Sequence, residues 1–384
     1  MPLLKICLIS IYVFLSAIVT YIIYNHEKCY YEKKLYPKYS NPSEKVDIHK
    51  EFETYARKDK PIKLIRLFIG VLLMFWIKIF IAVFTTISLM IILLFKGKRL
   101  KTPGIISKTE RPSFKSQINF WTSLYLFGSG FLINFHKEDN EKIKEIYKKY
   151  FGPDYEISFT EKYGSLICNH ISFIEILLAM TYFGTGFISK TDVKSVPLFG
   201  SIAVSLQSLF VDRKNEENRQ LILNQIKERQ QSYYDETYAT PLMIFPEGTT
   251  TSNRDLLTFK KGAFESLLPI KPLIIKGNSN PNYHVGCGNT DVFINYMRGL
   301  CELCVIVEYV ELPIMKPTDY MYENFKEFGS EKWQIYSEVA RSIYCEIGGF
   351  KKSVLTFRDN NRYSTCMKIG QYVNEEESKN FKDK

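Results

Sequence analysis

Two long apolar stretches constrain this chain more than any other feature. Residues 67–95 carry one charge, Lys78, in 29 positions, and residues 6–24 carry none in 19. A straight helix over residues 67–95 would be about 44 Å long, whereas the hydrocarbon of a bilayer is roughly 30 Å thick. We therefore predict a transmembrane helix at 1–24. At 64–99 we predict either one tilted span with Lys78 snorkelling or a re-entrant helix pair that meets near Lys78.

The residues that flank these stretches bear on two questions: whether the first stretch is cleaved, and on which side of the membrane the second one ends. A cleavable signal peptide is the competing interpretation of residues 6–24, but the apolar part is too long for a signal h-region and no small-x-small cleavage site follows it. Lys96, Lys98, Arg99 and Lys101 follow the second stretch. By the positive-inside rule this basic group predicts an exit on the cytosolic side.

Composition narrows the class of protein and of partner. A chain of 384 residues with 46% hydrophobic content can form one domain of about 200 to 250 residues beside its membrane elements. The net charge of +10 favours anionic membrane surfaces and phosphate-bearing substrates. No basic run interleaved with aromatic residues suggests a nucleic-acid partner, and no Cys/His spacing suggests a metal site. The Cys301 and Cys304 pair lies in an apolar run, which favours reduced core cysteines and a domain facing the cytosol.

The middle of the chain alternates strand-like apolar runs with helical ones from Ser165 to Pro313. This alternation predicts an α/β fold with a mixed sheet flanked by helices. We place the main domain at 105–350, with a polar linker at 25–63 and a polar tail at 351–384. Residues 118–135 are apolar but contain two glycines, and we predict an interfacial or packed helix there.

A polar turn follows the first of these strands, in the stretch SLICNHISFIE at Ser165–Glu175. Ser172 and Glu175 have the Ser-x-x-Glu spacing of a capping box, which places His170 in the turn before the helix. Glu175 can then fold back toward the imidazole, and a histidine held by a carboxylate suits a general base. The alternative is that these residues form a capping box only.

Two further motifs follow where strands meet loops. Arg213 ends the stretch LFVDR, and its planar guanidinium suits a phosphate group. In Met243–Ser252 (MIFPEGTTTS) a proline stops the strand, Glu247 is the sole charge and Gly248 allows a close approach. The threonine hydroxyls and backbone N–H groups after it are predicted to hold an anion. Lys260–Phe264 (KKGAF) alone predicts an ordinary glycine-containing turn.

Together these motifs resemble the glycerophospholipid acyltransferase family, typified by 1-acyl-glycerol-3-phosphate acyltransferase. The matching residues are Asn169 and His170 with the acid at 175, Phe210 to Arg213, Phe245 to Thr249, and Pro272. The runs FPEGTTTSNRDLLTFKKGAF and LQSLFVDR look like the lysophosphatidylcholine and lysophosphatidylethanolamine branch. The phosphatidic-acid-forming branch usually has arginine where this chain has Thr250. The first family motif has aspartate where this chain has Glu175.

The resemblance implies an acyltransferase fold and a direct transfer of an acyl chain. His170 would take the proton from a glycerol hydroxyl of a lysophospholipid, which attacks the thioester of acyl-CoA, and Glu175 would hold the imidazole. The implied acceptor-binding residues are Arg213, Phe245, Pro246, Glu247, Gly248, Thr249 and Pro272. No metal or nucleotide cofactor is implied, since the thioester supplies the free energy.

The resemblance also implies an endoplasmic reticulum membrane, with membrane lipids, acyl-CoA and a lysophospholipid as partners. Three alternatives remain open: a glycerol-3-phosphate or lysophosphatidic acid acyltransferase, a CoA-independent transacylase, and a non-catalytic lipid-binding membrane protein on the same fold.

Overall fold

The computed structural model describes residues 2–32, 35–57, 59–98, 106–196, 199–211, 216–276, 283–286 and 291–378. The helices of the described residues are α1 (Pro2–Glu32), α2 (Ile48–Glu51), α3 (Leu64–Gly70), α4 (Trp76–Lys98), α5 (Arg111–Gly128), α6 (Glu141–Phe151), α7 (Ile174–Phe183), α8 (Phe199–Ser205), α9 (Glu216–Tyr234), α10 (Val292–Leu300), α11 (Asp319–Asn324), α12 (Lys332–Gly348) and α13 (Phe357–Ile369). A π-helical turn (Val71–Phe75) joins α3 to α4, and short 3₁₀ turns lie at Thr191–Ser195, Lys261–Ala263 and Lys326–Phe328.

The strands form one large sheet and two small ones. They are β1 (Leu35–Pro37), β2 (Lys45–Asp47), β3 (Phe131–Lys137), β4 (Ser165–Cys168), β5 (Gly186–Lys190), β6 (Leu209–Val211), β7 (Leu242–Ile244), β8 (Asp255–Leu256), β9 (Ile270–Lys276), β10 (Val305–Glu311) and β11 (Lys351–Lys352). The large sheet has the order β3-β10-β9-β4-β7-β5-β6. Neighbours pair in parallel except β9 and β10, which are antiparallel, so the predicted mixed sheet is confirmed.

Helices cover both faces of this sheet because its central strands bury alternate side chains on opposite sides. In β4, Leu166 and Cys168 join one core cluster with α4, α5, α7 and α10, while Ile167 joins a second with α6, α9 and α12. In β9, Leu273 and Ile275 face the first cluster and Ile274 faces the second. The predicted α/β fold with flanking helices is therefore confirmed.

Two N-terminal helices are long and apolar enough to cross a membrane, as judged from length and composition: Lys5–Tyr31 and Leu64–Lys98. The second passes through Lys78 without a break, so the predicted helix pair meeting at that residue is not observed. The Lys78 ammonium turns toward the protein and donates to the carbonyls of Glu302 (2.5 Å) and Leu303 (3.1 Å). Those carbonyls satisfy the buried charge, and the helix needs no interruption there.

The single helix predicted at 118–135 is wrong in its second half. α5 ends at Gly128, the chain turns at Gly130 (φ +86°), and β3 begins at Phe131. β3 pairs in parallel with β10 along its whole length. The apolar side chains of 131–135 therefore belong to an edge strand, which their uninterrupted run in the sequence did not distinguish from helix.

The segments predicted as a polar linker (25–63) and a polar tail (351–384) are structured where they are described. α1 continues to Glu32, and the tail contains β11 and α13. Both segments contribute to a third core cluster, whose buried residues are Tyr36, Ile48, Phe52, Tyr55, Leu257, Tyr363, Cys366 and Val373. Widely spaced aromatic residues in otherwise charged segments supply this core, which explains why composition alone predicted linkers.

The cysteine prediction agrees with the structure. Cys301 is buried and Cys304 half-buried, between the end of α10 and the start of β10, and both are free thiols. Burial raises the pKa of the Cys301 thiol to about 12, so it stays protonated at neutral pH.

Candidate active site

His170 and Glu175 come together at the carboxyl end of β4. The imidazole Nδ1 lies 2.5 Å from Glu175 Oε1. Glu175 is fully buried, whereas the His170 side chain keeps 19% of its surface exposed. Since an ionised carboxylate can only accept, Nδ1 carries the proton of this hydrogen bond and Nε2 carries the lone pair. Within the described part of the chain Nε2 has no hydrogen-bond partner, so it is the nitrogen that can accept a substrate proton.

Glu175 also shapes the turn that presents the histidine. Its Oε1 accepts the backbone N–H groups of Ile171 and Ser172, each at 2.8 Å. Ser172 Oγ accepts the N–H of Ile174, the first residue of α7. The predicted capping interaction is thus present in modified form, and the same carboxylate serves both the helix and the imidazole.

Phe245 and Pro246 place the second motif against the first. The Phe245 ring stacks on the His170 imidazole, with centroids 4.2 Å apart and planes inclined by 14°. Pro246 is buried two residues after the end of β7, and its carbonyl accepts the N–H of Lys260 at 2.9 Å. β7 is the parallel neighbour of β4, so the carboxyl ends of the two strands deliver these residues to one place.

Glu247 is buried beneath the loop, with 1% of its surface exposed. One carboxylate oxygen accepts the His170 N–H at 2.9 Å and the other accepts the Leu257 N–H at 3.1 Å. Burial raises the pKa of this carboxyl to about 8, against the opposing effect of the two N–H donors. This geometry differs from the predicted role of Glu247 in contacting the acceptor, because the side chain instead fixes the backbone of the His170 turn.

The loop after Glu247 is held mainly by the protein itself. Gly248 has φ +71°, a conformation that favours glycine. Thr249 Oγ1 accepts from Asn360 Nδ2 of α13 at 2.6 Å, and the Thr251 N–H donates to the His170 carbonyl at 2.9 Å. These bonds occupy part of the hydroxyl and N–H groups that the sequence predicted as an anion site, and they rigidify the loop next to His170.

Asn169 extends the pairing of the sheet past the end of β4. Its side-chain oxygen accepts the Ile275 N–H at 2.9 Å and its Nδ2 donates to the Ile275 carbonyl at 3.0 Å. Pro272 is buried within β9 opposite Ile167, so it lies level with the body of β4 and not with His170. The role of Pro272 in lining the site remains a prediction.

Arg213 lies outside the described residues. Sequence reasoning missed the contribution of Asn360, which lies far along the chain in the segment predicted as a tail. The only sequence signal for it was the Thr-x-x-Asp spacing of Thr356 and Asp359, which forms the capping box of α13.

Among the described residues, one group has the donor atoms for a metal ion: His136, Glu138 and Glu308 on the β3–β10 edge. Lys276 Nζ lies 3.2 Å from a carboxylate oxygen of Glu138 and of Glu308. The Lys276 ammonium therefore already occupies this cluster. The three residues of the cluster lie far from His170 in the sequence.

Comparison with known proteins agrees with the geometry. Residues 145–276, which include β4, α7, β7 and β9, match the family model described as Acyltransferase. Residues 145–276 are therefore similar to an acyltransferase domain. The His170 turn and the Phe245–Thr249 loop both lie inside the matched residues, whereas Asn360 lies outside them.

Two of the curated relatives to which this chain is similar are named for lysophospholipids, and a third is named for 1-acyl-sn-glycerol-3-phosphate. Lysophospholipid acyltransferase LPEAT1 of Arabidopsis thaliana is 28% identical over 189 residues, which cover 49% of this chain and 47% of that protein. Human lysophosphatidylcholine acyltransferase 1 is 25% identical over 194 residues, 50% of this chain and 34% of that protein. The 1-acyl-sn-glycerol-3-phosphate acyltransferase of Cocos nucifera is 34% identical over 125 residues, 31% and 39% of the two chains. The matches thus span less than half the length of each relative.

A solved structure was also found, that of the 1-acyl-sn-glycerophosphate acyltransferase PlsC from Thermotoga maritima. It is 15% identical, with a TM-score of 0.44 over 72% of this chain and 94% of that chain.

Proposed function

We propose that this protein is a membrane-bound acyltransferase that moves a fatty acyl chain from acyl-CoA to the free hydroxyl of a lysophospholipid. The observation that carries the proposal is the His170–Glu175 pair, with Nδ1 bound to a buried carboxylate and Nε2 directed away from it. This is the arrangement that general-base activation of a hydroxyl requires.

The proposed reaction is a single displacement. His170 Nε2 takes the proton of the acceptor hydroxyl as its oxygen attacks the thioester carbonyl, and Glu175 stabilises the imidazolium that forms. The thiolate of CoA then leaves and takes up the proton from the imidazolium. The Phe245 ring fixes the plane of the imidazole, so its lone pair keeps one direction during the transfer.

The rest of the proposal concerns the surroundings of the reaction. The thioester supplies the free energy, so the reaction needs no metal or nucleotide cofactor. The apolar helices Lys5–Tyr31 and Leu64–Lys98 support a membrane location, which we propose to be the endoplasmic reticulum with the acyltransferase domain in the cytosol. Membrane lipids, acyl-CoA and the lysophospholipid are the proposed partners.

The acceptor class is proposed from Thr250 and from the names of the relatives. A phosphate monoester carries up to two charges and benefits from a second cation, whereas a phosphodiester under choline or ethanolamine carries one. Thr250 supplies no such cation. Two relatives that match about half of this chain are named for lysophospholipids, which supports lysophosphatidylcholine or lysophosphatidylethanolamine as the acceptor.

A second candidate function is acylation of lysophosphatidic acid or glycerol-3-phosphate. It is favoured by the Cocos nucifera relative, which has the higher identity over a shorter match. A CoA-independent transacylase and a non-catalytic lipid-binding protein would also fit the domain, and thiol release separates both from the first proposal.

The test is an acceptor panel with purified full-length protein in detergent micelles. Acyl-CoA is offered with lysophosphatidylcholine, lysophosphatidylethanolamine, lysophosphatidic acid or glycerol-3-phosphate, and free CoA thiol is measured with the acylated product. We expect thiol release that depends on the first two acceptors. Product without thiol release would indicate a transacylase, and neither product nor thiol with any acceptor would contradict the proposal.

Thr250→Arg sharpens the choice of acceptor. The added guanidinium should shift the ratio of kcat/KM toward lysophosphatidic acid, by about tenfold for one charge-assisted hydrogen bond. The wild-type ratio is the reference. A wild-type preference for lysophosphatidic acid would overturn the acceptor assignment, while the His170 mechanism would stand.

A further inference from the structure

The acceptor phosphate needs a positive partner that the buried Glu247 does not provide. The two oxygens of Glu247 already accept the N–H groups of His170 and Leu257, and 1% of its surface is exposed. This carboxyl offers no positive charge to a phosphodiester near the loop. A cation on the loop is therefore the group to look for in an acyltransferase that takes a phospholipid acceptor.

Lys260 lies against this loop. Its backbone N–H donates to the Pro246 carbonyl at 2.9 Å, which ties it to the turn carrying Glu247. Its ammonium rests on Gly248, because a Cβ built on this glycine would lie 2.6 Å from Lys260 Nζ. The absence of a side chain at position 248 therefore makes room for the lysine as well as allowing the positive φ.

Two residues of helix α13 contact the Lys260 side chain and the loop after Glu247. Lys260 Nζ lies 5.0 Å from the ring centroid of Phe357, a cation–π distance. One turn further along the helix, Asn360 donates to Thr249 Oγ1. Phe357 and Asn360 lie outside the matched residues 145–276, so this chain supplies part of the surroundings of its loop from its own C-terminal segment.

The neighbouring lysine shows a different environment. Lys261 Nζ lies 3.2 Å from Glu265 Oε1 in an i,i+4 ion pair and 5.8 Å from the Trp333 ring centroid. Adjacent residues of the same type thus serve two purposes, since Lys260 faces the loop and Lys261 faces α12. Lys261 is for this reason a matched control for any effect of charge.

We propose that Lys260 binds the phosphate of the acceptor, with Phe357 and Gly248 setting the position of its ammonium. The inference rests on the proposed acyltransferase function and names a residue of its acceptor site. In a lysophospholipid the free hydroxyl and the phosphate are separated by only a few bonds of the glycerol. Phe245 stacks on the His170 imidazole and Glu247 accepts the His170 N–H, so residues that come just before Gly248 in the chain contact the His170 turn. The proposal requires one acceptor molecule to reach both the imidazole and the ammonium. Phe357 is a positioning residue, since it acts through Lys260.

The kinetic test compares Lys260→Met, Lys260→Arg and Lys261→Met in the purified full-length protein. Loss of a charge-assisted hydrogen bond should raise KM for lysophosphatidylcholine by about 10- to 100-fold in Lys260→Met, with kcat largely retained. Lys260→Arg keeps the charge and should restore most of the affinity, and Lys261→Met should match the wild type. Equal KM values for Lys260→Met and Lys261→Met would contradict the inference.

A binding measurement keeps this inference separate from the proposed function. Glycerophosphocholine, the acceptor without its acyl chain, is titrated into the same proteins and followed by saturation-transfer NMR. Binding that is lost in Lys260→Met and kept in Lys261→Met supports the phosphate site, even if no acyl transfer is found. Equal binding by these two variants contradicts it, even if the wild type is an active acyltransferase.

Discussion

Two regions of this molecule bury ionisable side chains in different ways. Where α1 meets α10, Arg57 and Arg298 contact Glu27 and Asp59 at 2.5 to 2.8 Å, and these four side chains are at most 3% exposed. At the carboxyl end of β4, Glu175 and Glu247 are buried, and among the described residues neither carboxyl forms an ion pair with a lysine or an arginine. Their main donors are backbone N–H groups.

The first region uses its ionisable side chains for structure, whereas the second has an arrangement that suits chemistry. In the first region two guanidinium groups balance two carboxylates, and the closed cluster joins α1, the loop before α3 and α10. In the second region backbone dipoles hold the carboxylates while one imidazole nitrogen remains available. Fixed pairing favours a single arrangement, whereas donors that leave a lone pair exposed permit a proton to move.

The largest effect should follow from removing the imidazole. His170→Ala is expected to lower kcat/KM about 10²- to 10⁴-fold, the usual contribution of a general base. Because His170 lies on a partly exposed turn, the variant should remain folded and membrane-associated, as checked by thermal unfolding and by carbonate extraction. Unchanged turnover by a folded variant would show that the second region has no chemical role.

The next largest effect tests the structural region. Asp59→Asn leaves Arg57 and Arg298 with one carboxylate between them, and we expect a loss of about 3–5 kcal/mol in the free energy of unfolding, as for other broken buried pairs. Denaturant unfolding in micelles measures it. Any activity per folded molecule should be unchanged.

A matched control for Asp59→Asn is available on the surface. Glu44 pairs with Lys38 at an exposed position, and Glu44→Gln removes the same charge without burial. We expect no measurable change in unfolding. A similar loss in both variants would mean that burial does not distinguish the two kinds of pair.

The sequence predicted those parts of the structure that depend on local pattern. Short apolar runs predicted β4, β7, β9 and β10, and the five-residue spacing of His170 and Glu175 predicted their contact. It missed contacts between distant segments, such as Asn360 with Thr249. It also did not predict the burial of Glu247. The sequence Phe-Pro-Glu is the same whether the glutamate side chain is buried under the loop or exposed above it.

A smaller effect than that of Asp59→Asn is expected at Glu247, and it tests whether the role of this residue is structural. In Glu247→Gln the amide oxygen can still accept one backbone N–H, but the NH₂ group faces the other. The loss of one buried hydrogen bond should lower the free energy of unfolding by about 1–3 kcal/mol near pH 5. Acyl transfer should be largely retained, since the side chain fixes the turn without contacting substrate.

The pH dependence of this difference gives the sharper result. The pKa of Glu247 is raised from 4.5 to about 8 by burial, so between these values the folded protein keeps a proton that the unfolded chain releases. The stability that this proton confers is complete below about pH 4.5 and is lost as the pH rises through about 8. The glutamine variant lacks this titration, so the stability gap between wild type and Glu247→Gln should narrow as the pH rises from 5 to 8. A gap that stays constant over this range would mean that Glu247 is ionised in the folded protein as it is in the unfolded chain, and the contrast with the paired cluster at α1 and α10 would then rest on geometry alone.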